Sequence, residues 1–246
     1  MSQDNQETVK QIVDRVLAET DPWNNPYFVA LRDGTFDRED FVETQVQFYY
    51  AVVFFSRPMA VVAAKIPSPS LRVEVMRNVW EEHGEGDQTK MHGHTFRELM
   101  RRLGGLSIED IEDRQLWPAV RAFNTTLTGV SISDDWEVAT ACFGMIERMF
   151  VDISNWIGRA IVDNGWLPAD QLIHYDVHEV LDVKHSDDFF AVLSNGSDGS
   201  AQSHYCIDQG VQLGAYIFDD LYRGLYRARR TRRTAAVRAQ PHIYRS

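Results

Sequence analysis

The chain is short of several things, and each shortage narrows what it can be. Its 246 residues include two cysteines, Cys142 and Cys206. They stand far apart and match no zinc or redox spacing, so neither a disulfide framework nor a cysteine-based site is expected. Apolar runs such as YYAVVFF are too short to cross a bilayer. No Asn-Gly hairpin and no series of alternating strands occurs. The opening MSQDNQETVK lacks a signal-peptide pattern. A cytoplasmic protein with no membrane partner is the expectation. Basic charge is scarce except at the end: the formal net charge is −11, yet eight arginines and no acid lie from Arg223 onward. So acidic a body argues against nucleic acid as the main partner. The sequence divides into a domain over residues 1–230 and a basic, flexible tail over 231–246.

What is present is helical periodicity. The chain is 44% apolar and 11% aromatic, enough to bury a core. Val9, Ile12, Val13, Val16 and Leu17 mark one face of a first helix over 6–19. Asp37 is placed to cap a long helix, which Pro58 should bend or interrupt. Ser70 is placed to cap LRVEVMRNVWEE. Further helices run near Trp117 to Thr128, from Asp134 or Asp135 to the DNG at 163–165, from Pro168 onward, and over 205–227. The sum is an all-α bundle of seven or eight helices in one domain.

Three segments carry chemistry. In HEVLDVKH, His178, Asp182 and His185 sit at i, i+4 and i+7, within about 60° on a helix. Two imidazoles and a carboxylate on one face suit non-heme iron, manganese or zinc. Val177, Val180, Leu181 and Val183 flank them, which makes plain surface a poorer account; His174 lies one turn earlier on nearly the same side. In FGMIERMF, Glu147 stands among Phe143, Met145, Ile146 and Phe150. A buried lone carboxylate is costly unless paired or bound to a cation; the bland alternative is a surface pair with Arg148 or Arg227. The third segment, EEHGEGDQTKMH, brings Glu81, Glu82, Glu85 and His92 together. Ideal helical phase favours Glu81 or Glu85 as the partner of His92 and sets Glu82 about 80° away. Gly84 and Gly86 weaken the helix by roughly 1 kcal/mol each, so that phase need not hold. In a bundle, facing helices supply such groups to a central ion pair. No Glu-x-x-His pair occurs, which separates the chain from ferritin-like sites.

Taken in order, Glu82 to His92 (E-x9-H), the lone Glu147 and H-x3-D-x2-H resemble the heme-oxygenase-like diiron oxidases, whose fold is shared with TenA- and PqqC-type proteins. The resemblance runs from about Val42 to Arg227. It implies a heme-oxygenase-like fold without heme; the first histidine is His83, so no early helix offers an axial ligand. It implies two iron ions, or manganese in one position, held by Glu82, His92, Glu147, His178, Asp182 and His185, with O2 as co-substrate. The implied activity is oxidation of a small amino acid or amine in natural-product biosynthesis. C–H cleavage would lead to desaturation, fragmentation or cyclisation. N-oxygenation is the alternative, weakened because no extra carboxylate lies in the preceding helix nearer than Glu43. Arg57, Tyr50, Phe54, Phe143 and Phe150 are candidates for a substrate pocket, with Tyr49, Phe55, Trp80 and Met149 as further wall residues that plain core packing explains equally well. A homodimer is compatible with such a bundle. Two rival readings are a metal-free TenA- or PqqC-like enzyme and a non-enzymatic helical binding protein.

Overall fold

The structure, a computed structural model, describes residues 6–231 and, within that span, the backbone alone of residues 176–183. The basic tail therefore lies outside the described residues, apart from Thr231. Ten α-helices occur among the described residues, with no strand: α1 (Val9–Thr20), α2 (Pro26–Arg32), α3 (Arg38–Lys65), α4 (Pro69–Glu82), α5 (His92–Gly104), α6 (Ile108–Glu112), α7 (Pro118–Ser133), α8 (Trp136–Asp163), α9 (His174–Gly196) and α10 (Ala201–Ala228). The all-α expectation holds, but the count of seven or eight does not. The main reason is length. At 7 and 5 residues, α2 and α6 span too few turns for apolar spacing to show.

Several ends follow from local chemistry. Thr8 and Gln11 form a reciprocal capping box at α1. Asp37 caps α3 by accepting from the Glu39 and Asp40 amides. Others differ from expectation. Ser68, not Ser70, occupies the cap position of α4, with Pro69 in the first helical position where a missing N–H costs nothing. Pro168 leads into a 3-10 turn at Ala169–Gln171, and α9 starts only at His174. Pro58 does not end α3, which continues to Lys65. Proline inside a helix costs about 3 kcal/mol. Past it, Met59 and Val62 are fully buried, and each contributes about 1.5–3 kcal/mol. Packing therefore outweighs the local break.

Helix α3 is long and apolar enough to cross a membrane by length and composition, unlike the short runs read from the sequence; 72% of its most apolar window is buried inside the bundle. One continuous apolar core runs from Ile12 in α1 to Leu225 in α10. The centre is α8, which packs most extensively on α9 and α10. Glycines allow that closeness. A Cβ at Gly210 or Gly214 of α10 would lie 2.3 or 2.4 Å from the carbonyl oxygens of Val138 or Cys142 in α8. A Cβ at Gly144 would meet the Phe189 Cβ of α9 at 2.8 Å. Gly144 sits about one turn before Glu147, and Phe189 one turn after His185. A close approach of α8 and α9 thus lies beside two of the expected ligands.

Candidate metal centre

Four helices meet where the three segments converge. From α4, the buried positions Val75, Asn78 and Glu82 recur at i, i+3 and i+7, an inward stripe that ends in a carboxylate. The chain then leaves α-helical geometry. It passes through two 3-10 turns, Gly84–Gly86 and Gln88–Lys90, before α5 begins at His92. Positive φ at Gly84, Glu85 and Gly86 (63°, 54° and 89°) makes the turn. A Cβ at Gly84 would sit 2.7 Å from the Met91 amide nitrogen, so only glycine lets this loop close. The result is a short contact between Glu82 Oε2 and His92 Nδ1, 2.9 Å, with both side chains nearly excluded from solvent. Ideal phase would have put Glu82 on the wrong face; the turn overrides it.

Helix α8 supplies Glu147, 4% exposed, and α9 supplies His185, fully buried. One ligand-type atom from each of Glu82, Glu147 and His185 lies within 4.8 Å of the other two. His185 Nδ1 faces Glu147 Oε2 at 4.0 Å, too far for a hydrogen bond. The same Nδ1 is buried and has no hydrogen-bond partner among the described residues. First-row divalent ions bind imidazole nitrogen and carboxylate oxygen at about 2.0–2.2 Å, so a gap of this size can hold two ligands of one ion. Two carboxylates and an imidazole with an unused lone pair suit a divalent metal, and the residues present fit one. On the other side of the ring, His185 Nε2 lies 2.7 Å from Glu81 Oε2. Burial pushes the Glu81 carboxyl up, but the hydrogen bonds from His185 and Lys184 and the Lys184 charge outweigh it and hold the group below its ordinary value.

His178 and Asp182 fall in the helical backbone of α9, but their side chains lie outside the described residues. His174 is buried rather than exposed: its Nδ1 is 3.0 Å from Thr95 Oγ1, and its ring meets that of Phe96 edge-on. Glu147 is buried and not a surface group, and Arg148 pairs with Asp152 at 2.9 Å. Glu85 is exposed in the turn. Glu43 is taken by Arg114 at 3.0 Å.

Beside Glu82, His92 and Glu147 is a cavity of about 50 Å³. Its apolar walls are Phe48, Ala51, Val52 and Phe55 of α3, Phe123 of α7, Ile146 and Phe150 of α8, and Phe218 of α10. Of the pocket candidates, Phe150 lines it, as does Phe55 among the further wall residues. Tyr50 is turned away, its hydroxyl donating to the Ile111 carbonyl at 2.5 Å. Phe54 and Phe143 are buried without lining it, and Arg57 is exposed. Trp80 is 54% exposed. Phe48, Phe123 and Phe218 are missing from the sequence reading. A signal existed for the first: Phe48, Ala51, Val52 and Phe55 fall at i, i+3, i+4 and i+7 in α3. Nothing local marks Phe123 or Phe218, which come from other helices.

Comparison with known proteins bears on this geometry. Residues 42–211 match the model of a family described as iron-containing redox enzymes. A curated relative, the 4-aminobenzoate synthase of Nitrosomonas europaea, is 23% identical over 204 residues, covering 78% of this chain and 80% of its own. Among solved structures, a TenA homologue from P. horikoshii superposes with a TM-score of 0.70 at 14% identity, over 90% of this chain and 99% of that one. A cadd-like protein of unknown function from Nostoc punctiforme gives 0.71 at 13% identity, over 89% and 96%. A domain of unknown function from Shewanella denitrificans, described as having a heme oxygenase-like fold, gives 0.65 at 16% identity, over 93% and 95%. At these identities the structures establish a heme oxygenase-like, TenA-type fold.

Proposed function

The chain belongs to the family of iron-containing redox enzymes, and from that membership we propose that it is a non-heme diiron, O2-dependent oxidase or oxygenase of a small amino acid or amine. The observation that carries this reading is the buried convergence of Glu82, Glu147 and His185, with His185 Nδ1 left without a hydrogen-bond partner among the described residues. His92, His178 and Asp182 complete the proposed ligand set. Bound iron would supply the electrons that reduce O2.

The protein's own residues do the rest. Glu82 and Glu147 offset the positive charge in a setting where an unpaired carboxylate is costly. His92 and His185 offer neutral nitrogen donors from two different helices. Phe48, Phe55, Phe123, Phe150 and Phe218 give the cavity a largely apolar lining. A cavity this small and apolar favours O2 and an aliphatic portion of substrate over a large polar molecule. C–H cleavage leading to desaturation, fragmentation or cyclisation is the outcome we favour. The name of the 4-aminobenzoate synthase relative keeps amine chemistry, including N-oxygenation, in range. Natural-product biosynthesis, a cytoplasmic setting, homodimer formation and manganese in one position belong to the same proposal.

The test is anaerobic Fe(II) titration, with iron and manganese counted per chain, followed by O2 exposure across a panel of amino acids and amines. Two metal ions per wild-type chain, fewer in Glu147→Ala, and substrate-dependent O2 uptake are expected. A protein that retains no metal yet turns over substrate would instead establish the metal-free TenA-like alternative.

A further inference from the structure

Glu81 sits next to a proposed ligand, yet its carboxylate points at a different residue. Its Oε2 lies 2.7 Å from His185 Nε2, while His185 Nδ1 faces the Glu147 carboxylate on the opposite side of the ring. We propose that Glu81 is a positioning residue that fixes the tautomer and orientation of His185, so that the Nδ1 lone pair is aimed between Glu82 and Glu147. This rests on the metal-binding reading above.

A carboxylate accepts hydrogen bonds and does not donate them. The short contact therefore requires the proton on Nε2. A neutral imidazole carries one N–H, so Nδ1 is then the bare nitrogen. Among the described residues a proton on Nδ1 would have no acceptor in reach, because Glu147 Oε2 is 4.0 Å away. The ring is fully buried, so bulk solvent does not stabilise the other tautomer. Glu81 is itself held: Lys184 Nζ lies 3.3 and 3.4 Å from its two oxygens and 3.0 Å from Asp188 Oδ2. From α4, Asn78 directs its amide nitrogen at the His185 carbonyl, 3.4 Å away. Side chains of α4 thus reach both the ring and the backbone of His185. Outer carboxylates of this kind set ligand orientation and basicity at metal sites, and their loss typically weakens metal binding by roughly 10–100-fold.

The experiment compares wild type with Glu81→Ala, Glu81→Gln and Glu147→Ala. Melting curves of the metal-free proteins first establish that each is folded. Two readouts follow: the His185 tautomer in metal-free protein, from long-range proton–nitrogen NMR correlations, and anaerobic Fe(II) affinity with stoichiometry. Wild type should show the Nε2–H form. Glu81→Ala should lose that preference and bind Fe(II) roughly 10–100-fold more weakly at unchanged stoichiometry. Glu81→Gln should recover much of both, because the amide oxygen can accept the same hydrogen bond. Glu147→Ala should lose an ion outright. The proposal is overturned if Glu81→Ala keeps wild-type affinity and tautomer. It is equally overturned if Glu81→Ala loses an ion as Glu147→Ala does, which would make Glu81 a direct ligand. If wild type binds no Fe(II), the metal-binding reading fails instead; the NMR result still decides whether Glu81 sets the tautomer.

Discussion

Residue identity and residue role separate at several places. Tyr50 and Arg57 have the chemistry of substrate-binding groups, and the sequence offers no way to see where they point. In the fold, Tyr50 donates to the Ile111 carbonyl across the gap between α3 and α6, and burial pushes its phenol well above the ordinary range. A hydroxyl in that position supports packing. Tyr50→Phe is expected to cost about 1 kcal/mol, the net worth of one hydrogen bond, while leaving kcat and KM unchanged. Denaturant unfolding beside steady-state kinetics checks this, and a raised KM with intact stability would return Tyr50 to the pocket. Glu147 is the opposite case. Its apolar neighbours in sequence already imply a buried carboxylate, and burial is where the structure puts it.

Elements decide which residues meet. Ideal helical phase across EEHGEGDQTKMH would require one continuous helix, and the turn at Gly84–Gly86 breaks it. Glu82 then reaches His92, and Glu81 is released to serve His185. Between α8 and α9 the deciding feature is a small side chain. Gly144→Ala would place a Cβ 2.8 Å from Phe189 Cβ and 2.9 Å from Phe190 Cε1. The helices must then separate beside Glu147 and His185. Overpacking of this kind typically costs 1–3 kcal/mol. The variant should show a lower Tm and weaker Fe(II) binding together. A variant that melts earlier but binds Fe(II) as wild type does would show that the site tolerates the shift.

At the scale of the whole molecule, the proposed centre ties α4, α5, α8 and α9 to one point. Metal bound there stabilises the folded chain by mass action. At a free Fe(II) concentration of one hundred times Kd the gain is about 2.7 kcal/mol, visible as a rise in Tm under anaerobic conditions. A chelator should reverse it, and the Glu147→Ala chain should respond far less. An equal rise in both would place the stabilising ion elsewhere.

The sequence by itself determined the helical class, most long helices and the residue types available for a metal. Those follow from local periodicity, from caps such as Thr8 and Asp37, and from polar groups set among apolar ones. Only the tertiary structure decided the number of helices, the survival of α3 past Pro58, the separate partners of Glu81 and Glu82, and the phenylalanines that wall the cavity. The physical reason is range. Capping and periodicity act within a few residues, whereas a cavity wall or a hydrogen bond from His185 to Glu81 joins segments about a hundred residues apart and exists only once the helices pack.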